Sequence, residues 1–201
     1  MIKLLKKNIK IKNNIFFKSF LGNIDLFFID QVFKIPKTVK LKIKNNKIYF
    51  ESFLGNLTLT YINEILFFLK KDKLILIINV QKNKKSILNL YNKLIKLKIK
   101  GILQEFKLNL ILKGIGFKAS IENNNLILKL GFSHNIIIKI PSNIKLINQN
   151  NNLIFSSIDF IFLTQYVHFI KNYKIPEPYK GKGLLLKNEK IFKKEGKKSK
   201  K

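Results

Sequence analysis

One stretch of the sequence occurs twice, and both copies have the pattern of a β-hairpin. Residues 35–50 (IPKTVKLKIKNNKIYF) and 140–155 (IPSNIKLINQNNNLIF) align without gaps, so that Pro36 matches Pro141 and an Asn pair lies inside each copy. Apolar and polar residues alternate on both sides of the pair, as in two strands joined by a tight turn. Asn tolerates the left-handed backbone conformation that such turns need. The repeat predicts two related domains, although a low-complexity sequence can also match itself by chance.

A helical pattern follows each copy of the repeat. Residues 83–102 carry apolar side chains at helical spacing and lysines elsewhere, which predicts an amphipathic helix that ends near Gly101. Residues 156–173 predict a second helix, with Ser157 or Asp159 as its N-cap. Strand-like segments with Asn or Gly turns lie between the two helices. The pattern predicts an α+β fold of two tandem similar domains, each an antiparallel sheet covered by a helix, with a basic C-terminal tail.

These patterns divide the chain into four segments. We expect an N-terminal extension over residues 1–33, a first α+β domain over 34–102, a second over 103–186 and a basic tail over 187–201. The tail has too few apolar residues to order itself, so we expect it to be solvated until it meets an anionic partner. The first residues are basic, as in a transit peptide, but they lack Arg and are poor in Ser.

The charge of the chain indicates a polyanionic partner. Forty basic residues face eleven acidic ones, which gives a formal net charge of +29, and every basic residue is Lys. Lys is a hydrated point charge without the planar fork of Arg, so we expect phosphate contacts that are numerous and weakly directional. The chain has no Cys, which excludes disulfides, thiolate metal sites and a cysteine nucleophile. Its longest apolar runs are far shorter than the ~20 residues of a membrane span.

The sequence shows no constellation of residues that would support catalysis. Residues 114–119 (GIGFKA) satisfy a dinucleotide-binding fingerprint, but a hairpin pattern follows them where that site needs a helix. His134 and His168 have no carboxylate or second metal ligand at a useful spacing. We therefore predict no catalytic residue, no metal site and no cofactor.

The segment PEPYKGKG, residues 176–183, has the composition of a nucleic-acid-binding loop. Its two prolines stiffen the backbone, and its two glycines allow a close approach to a phosphate or a ribose. Its lysines supply positive charge, and Tyr179 can stack on a base. A solvated surface turn is the alternative reading of this short segment.

Together with three other motifs, this segment resembles the universal L-six family of large-subunit ribosomal proteins. The four motifs occur in the family's order: KGIGFKA at 113–119, LGFSH at 130–134, IPSNI at 140–144 and PEPYKGKG at 176–183. Residues 35–102 resemble the family's first domain more loosely, and residues 1–33 have no clear counterpart. Relatives usually carry Arg before the PEPY segment and an Arg-Tyr pair after it. This chain has Lys174 and Ile175, then Leu185 and Leu186, so we expect no bidentate or stacking contacts at those positions.

The resemblance implies a tandem of two α+β domains that performs no chemistry, with the second domain as the main RNA-binding one. It implies binding to large-subunit rRNA near the sarcin–ricin loop and the factor-binding region, with neighbouring ribosomal proteins as further partners and no membrane or small-molecule substrate. The implied RNA-binding residues are Lys113, Gly114, Gly116, Phe117, Lys118, His134, Tyr173, Lys174, Tyr179, Lys180, Gly181, Lys182, Gly183, Lys197, Lys198, Lys200 and Lys201.

The composition, rich in Asn, Ile, Lys and Phe, is typical of an A/T-rich genome. We expect a mitochondrial ribosome, with a plastid-type organelle or an A/T-rich bacterium as alternatives. Two other functions stay open at this point. One is a polybasic protein that binds anionic membranes through the helix of residues 83–102. The other is a nucleotide-dependent enzyme.

Overall fold

The structure is a computed structural model that describes residues 16–17, 27–28, 31–70, 73–78 and 84–196. Most of the predicted N-terminal extension lies outside these residues, and so do the tail lysines Lys197, Lys198, Lys200 and Lys201. The chain divides into two compact units, Met1–Leu103 and Gln104–Lys201. Two short antiparallel strands, β1 (Phe16–Phe17) and β2 (Phe27–Phe28), come first in the first unit.

The first unit continues with two antiparallel sheets and one helix. Its elements are β3 (Gln31–Lys34), β4 (Lys40–Lys44), β5 (Lys47–Ser52), β6 (Gly55–Thr60), β7 (Ile65–Lys70), β8 (Lys73–Ile78) and α1 (Lys84–Leu103). The sheets have the strand orders β4-β5-β6 and β3-β8-β7. Helix α1 packs on β5 and β6. Its buried Tyr91, Ile95 and Ile102 and the fully buried Ile48 and Phe50 of β5 belong to the core of this unit.

The second unit has the same components and one additional strand. Its elements are β9 (Phe106–Lys113), β10 (Lys118–Glu122), β11 (Asn125–Lys129), β12 (Ile136–Lys139), β13 (Lys145–Gln149), β14 (Asn152–Ser157), α2 (Phe160–Asn172) and β15 (Gly183–Leu186). The sheets have the orders β10-β11-β12 and β13-β14-β9-β15. Helix α2 packs on β9, β14 and β15, and its Leu163, Val167 and Ile170 are buried in the core cluster of the unit. The predicted α+β class, with two sheet-plus-helix domains, is confirmed.

The sequence repeat corresponds to one hairpin in each unit. Lys44 pairs with Lys47 across the first turn, and Gln149 pairs with Asn152 across the second. The two-residue turns carry left-handed residues, with φ of 45° at Asn45 and 55° at Asn150. Asn side chains are among the few that tolerate this conformation, which explains why both copies carry Asn here. The predicted strand, Asn turn and strand are present in both copies.

The two units connect the same strands in a different order. In the first unit the hairpin strand β5 pairs with β6, and β3 pairs with β8; in the second unit β14 pairs with β9, and β12 pairs with β11. In the second unit, β9, β10 and β11 precede the repeat hairpin. By their positions in the sheets they correspond to β6, β7 and β8, which follow the repeat hairpin in the first unit. The order of the strands is circularly permuted between the units. The strands β3 to β5 and their counterparts β12 to β14 keep the same order, and the sequence repeat, residues 35–50 and 140–155, lies within these two segments.

The helix boundaries differ from the predicted ones in two places. Helix α1 continues through the buried Gly101 to Leu103, two residues beyond the expected end. Helix α2 begins only at Phe160, because residues 156 and 157 still pair with β9 as the end of β14. Of the two candidate N-caps, Asp159 is the one observed: its carboxylate accepts a hydrogen bond from the Ile161 amide, at 3.1 Å.

We predict that Asn150→Val destabilises the fold, because a β-branched side chain is strongly disfavoured at a φ of 55°. The expected loss is about 1–2 kcal/mol in the free energy of unfolding, measured by urea titration. Asn150→Gly is the matched control and should cost far less, since glycine adopts this conformation without a steric penalty. Equal stability of the Val and Gly variants would contradict the role given to the left-handed turn.

Candidate nucleic-acid interface

Strand pairing brings two of the predicted RNA-binding loops to one end of the four-stranded sheet. Lys113 ends β9 and Gly183 begins β15, and these two residues are paired across the strands. The glycine loop, residues 114–117, leaves β9 at this end. The PEPY loop, residues 173–182, enters β15 at the same end. Loops that are far apart in the sequence therefore start from adjacent backbone positions.

A third loop joins them. The GFSH loop, residues 130–135, connects β11 to β12. The Phe117 ring of the glycine loop lies next to Gly131 of the GFSH loop: a Cβ added at Gly131 would be 3.5 Å from Phe117 Cε1. From the PEPY loop, the Lys174 ammonium lies 4.4 Å from the centroid of the Phe132 ring. The three loops thus form one continuous surface that combines motifs from three parts of the sequence.

The glycine loop is held by its own aromatic residue. Phe117 belongs to the core cluster and is only 8% exposed. Its ring lies against Gly114, where a Cβ would be 2.8 Å from Phe117 Cε2, so that only glycine fits. Gly116 has a φ of +76° and an open environment. Phe117 therefore anchors the loop from below, while Ile115, which the sequence analysis did not single out, lies at the tip with 93% of its surface exposed.

The PEPY loop is closed by its own backbone. The Glu177 amide donates to the Lys182 carbonyl and the Gly181 amide donates to the Glu177 carbonyl, both at 2.9 Å. The Leu184 amide donates to the Lys174 carbonyl across the neck of the loop, also at 2.9 Å. These bonds leave Tyr179 53% exposed. The neighbouring Lys180 is exposed, and Lys182 is half-buried.

The two glycines of the PEPY loop allow close contacts within the protein itself. Gly183 is buried with a φ of +150°, and a Cβ there would lie 2.6 Å from Cα of Pro176. Gly181 is buried with a φ of +71°, next to side-chain atoms of Ile191 and Lys193. The sequence analysis assigned both glycines to RNA contact. The structure places them where the backbone of the loop packs on other parts of the second unit.

The described part of the tail is attached to this loop. The Lys194 amide donates to the Pro178 carbonyl at 3.0 Å. Glu189 accepts from Lys171 Nζ of α2 at 2.5 Å and from the Leu186 amide at 3.2 Å. The hydrogen bond from Lys171 is the main reason that the pKa of Glu189 is lowered from its ordinary value of 4.5. The sequence predicts a solvated tail from residue 187, whereas these contacts fix residues 187–194 on the second unit.

Exposed cations and aromatic rings lie on the three loops and on the strand ends next to them. Lys113, Lys118, Lys180 and His134 are exposed. The His134 ring stacks on Phe132, with centroids 6.3 Å apart and an interplanar angle of 23°. Lysines can neutralise phosphates, and exposed rings can stack on unpaired bases. The surface has the chemistry of a nucleic-acid interface.

The structure adds aromatic residues that the sequence analysis had not selected. Phe132, 41% exposed, is the ring that both His134 and Lys174 contact. Phe169, on the last turns of α2, forms an edge-to-face pair with Tyr173 at a centroid distance of 5.3 Å. In the sequence, the one sign that Phe132 is exposed was its position between Gly131 and Ser133 in a predicted turn. Among the residues that the structure describes, no group of three or more His, Asp or Glu side chains could hold a metal ion.

Comparisons with known proteins match the segment of the sequence that contains these loops. The sequence model of the family described as Ribosomal protein L6 matches residues 113–185, which contain all three loops. "Large ribosomal subunit protein uL6c" of Phaeodactylum tricornutum is 40% identical over 117 residues, 58% of this chain and 66% of that protein. The uL6c of Trieres chinensis is 38% identical over 130 residues, 63% of this chain and 73% of that protein. "Large ribosomal subunit protein uL6" of Mycoplasmoides gallisepticum is 40% identical over 117 residues, 58% of this chain and 64% of that protein.

We predict that Gly183→Ala disrupts the junction between the PEPY loop and β15. The new Cβ would meet the backbone of Pro176 at 2.6 Å, and neither backbone segment can move without breaking loop hydrogen bonds. We expect a loss of about 2–3 kcal/mol in the free energy of unfolding and faster hydrogen exchange of the Leu184 amide. Gly116→Ala is the control. A Cβ added there would meet no atom within 4 Å, so the free energy of unfolding should fall by only about 1 kcal/mol, because of the positive φ. Similar losses in the two variants would refute the close packing of Gly183.

We also predict that the attachment of the tail depends on pH through Glu189. A carboxyl group with a lowered folded-state pKa stabilises the fold above its ordinary value of 4.5, and this contribution is lost as the pH falls through the folded-state pKa. Hydrogen exchange of the Leu186 amide, corrected for intrinsic rates, should therefore accelerate on acidification. Glu189→Gln should show the fast exchange already at pH 7. Glu177→Gln removes an equal charge from an exposed position and should leave that amide unchanged.

Proposed function

This chain belongs to the ribosomal protein L6 family, and from that membership we propose that it is a structural constituent of a large ribosomal subunit. The observation that carries the proposal is the coincidence of two independent results. The segment that matches the family, residues 113–185, is also the segment that folds into the three adjacent basic and aromatic loops. The protein would act by binding and would perform no chemistry.

The proposed ligand is large-subunit rRNA, near the sarcin–ricin loop and the factor-binding region. Exposed lysines would neutralise phosphates, with Lys113 and Lys118 next to the glycine loop and Lys180 in the PEPY loop. Tyr179, 53% exposed, would stack on an unpaired base or contact a ribose. His134 of the GFSH loop and Lys174 of the PEPY loop, which both contact Phe132, would add further contacts with RNA. Tyr173, which contacts Phe169, would add another.

The buried members of the predicted set would act by positioning. Phe117 holds the glycine loop, and Gly181 and Gly183 permit the closed shape of the PEPY loop. Gly114 and Gly116 would let the loop tip approach RNA closely. Lys197, Lys198, Lys200 and Lys201 lie outside the described residues, and their proposed contacts with RNA phosphates rest on charge alone.

At one position where this chain departs from the family pattern, the side chain is buried. Leu185, where relatives usually carry part of an Arg-Tyr pair, is only 7% exposed in β15. It packs into the unit and presents no hydrogen-bonding group to a ligand. We therefore propose that binding depends more on the loops before β15 than on the residues within it.

The membrane alternative conflicts with the packing of α1. A helix that binds a membrane surface inserts its apolar face into the lipid. In α1 the residues of that face, among them Tyr91, Ile95 and Ile102, are buried against the sheet of the first unit. Within the described part of the chain, no helix is long and apolar enough to cross a bilayer.

The proposed location is an organellar ribosome, and we propose the mitochondrion first because of the A/T-type composition. A plastid-type organelle or an A/T-rich bacterium are the other candidates, and relatives named uL6c and uL6 both match the chain. Neighbouring ribosomal proteins are proposed partners. Sucrose-gradient fractionation of purified organelles, followed by mass spectrometry, tests both function and location. Co-migration with a large subunit is the expected result, and absence from every ribosomal fraction would overturn the proposal.

We predict that Lys180→Gln/Lys182→Gln weakens binding to large-subunit rRNA and flattens its salt dependence. Each lost phosphate contact should reduce the slope of log K against log salt by roughly 0.7–0.9, so two lost contacts give between one and two units. The measurement is a binding titration at several salt concentrations. Lys107→Gln/Lys139→Gln is the matched control, because these exposed lysines lie on β9 and β12 at the strand ends away from the three loops. An unchanged slope in the loop variant would remove those lysines from the interface.

A further inference from the structure

We propose that the outward face of α1 is a second phosphate-binding surface, through which the first unit binds the backbone of the same rRNA. This inference rests on the proposed function and extends it to a unit that the family comparison, over residues 113–185, does not include. The surface, called the α1 lysine face below, consists of Asn89, Asn92, Lys93, Lys96, Leu97 and Lys100.

The composition of α1 separates it from an ordinary surface helix. Its 20 residues, KKSILNLYNKLIKLKIKGIL, include six lysines and no carboxylate. A Glu three or four residues from a Lys forms a favourable pair on a helix surface, and α1 contains no Glu to form one. In α2, which covers the corresponding sheet of the second unit, the one lysine is Lys171 and it pairs with Glu189. The positive charge of α1 has no acidic residue within the helix to offset it.

The geometry of α1 places the charge on one side. Lys93, Lys96 and Lys100 are three and four residues apart, so they lie along one face of the helix, and all three are exposed. The core-facing residues Tyr91 and Ile95 lie on the opposite face. Between the lysines runs a shallow groove of about 300 Å³. Asn89 and Asn92 line it too, and their side-chain amides can donate hydrogen bonds to phosphate oxygens.

Two physical arguments favour RNA as the occupant of this face. Lysines at these spacings repel each other and weaken an isolated helix, and a polyanion converts that repulsion into attraction. On the α1 lysine face, Leu97 is the one apolar residue among five polar ones, and Tyr91, Ile95 and Ile102 are buried in the core of the unit. A lipid surface would need an apolar face to insert, whereas an RNA backbone needs only cations and hydrogen-bond donors.

The test compares two charge-matched variants of the full chain in binding to large-subunit rRNA. Lys93→Gln/Lys96→Gln removes two lysines from the α1 lysine face. Lys37→Gln/Lys44→Gln removes two exposed lysines of the same unit, Lys37 in the turn before β4 and Lys44 at the end of β4. We expect the first variant to flatten the salt slope by roughly one to two units, and the second to change it by much less than one unit. Circular dichroism of both variants checks that the helix content is retained.

Each other outcome has a defined meaning. Equal changes in the two variants would show that only total charge matters and would overturn the α1 lysine face, while the proposed function would stand. Failure of the unmodified chain to bind rRNA or to join a large subunit would overturn both. If the Lys93→Gln/Lys96→Gln variant lost binding to vesicles of phosphatidylserine and phosphatidylcholine but kept its rRNA affinity, the face would be a membrane-binding one and this inference would be wrong.

Discussion

The pairing of β15 with β9 is the interaction on which the candidate interface depends. β15 adds a fourth strand to a sheet whose counterpart in the first unit has three, and its first residue, Gly183, pairs with Lys113. That pair fixes the start of two loops on neighbouring backbone positions. The same glycine allows the chain to pass within contact of Pro176, which closes the PEPY loop. Backbone packing thus fixes the positions of the two loops, and exposed side chains such as Lys180 and Tyr179 project from their surface.

The ion pairs of the protein do not balance its large positive charge. The few carboxylates for which the structure shows ion pairs each hold one lysine: Glu51 pairs with Lys42, Glu105 with Lys145 and Glu189 with Lys171. Exposed pairs of this kind contribute little to stability, so they cannot balance a formal charge of +29. Self-repulsion of that size destabilises an isolated compact chain, and binding to a polyanion such as the proposed RNA would reduce it. The stability of the fold and the proposed RNA binding would therefore be coupled through electrostatics, even where no single contact is strong.

Local features were predicted well from the sequence, and long-range contacts were not. The hairpin turns could be predicted because an Asn pair between alternating strands has one low-energy solution. The start of α2 was misplaced, because residues 156 and 157 gain pairing with β9, a strand far away in the sequence. The burial of Phe117 and Gly183 depends in the same way on Gly131 and Pro176. Motifs identified the loops, but only the fold shows which motif residues face outward and which hold the loop from inside.

The permuted strand order explains why the three-loop end of the second unit has no counterpart in the first unit. In the second unit the chain runs directly from β11 to β12, and the GFSH loop is that connection. In the first unit the corresponding strands β8 and β3 are neighbours in the sheet but lie at opposite ends of the unit's sequence, so no loop can join them. The PEPY loop likewise requires a strand after the helix, whereas α1 leads into the next unit. The three-loop end of the second unit therefore follows from its strand connectivity, and point mutations alone could not create such an end in the first unit.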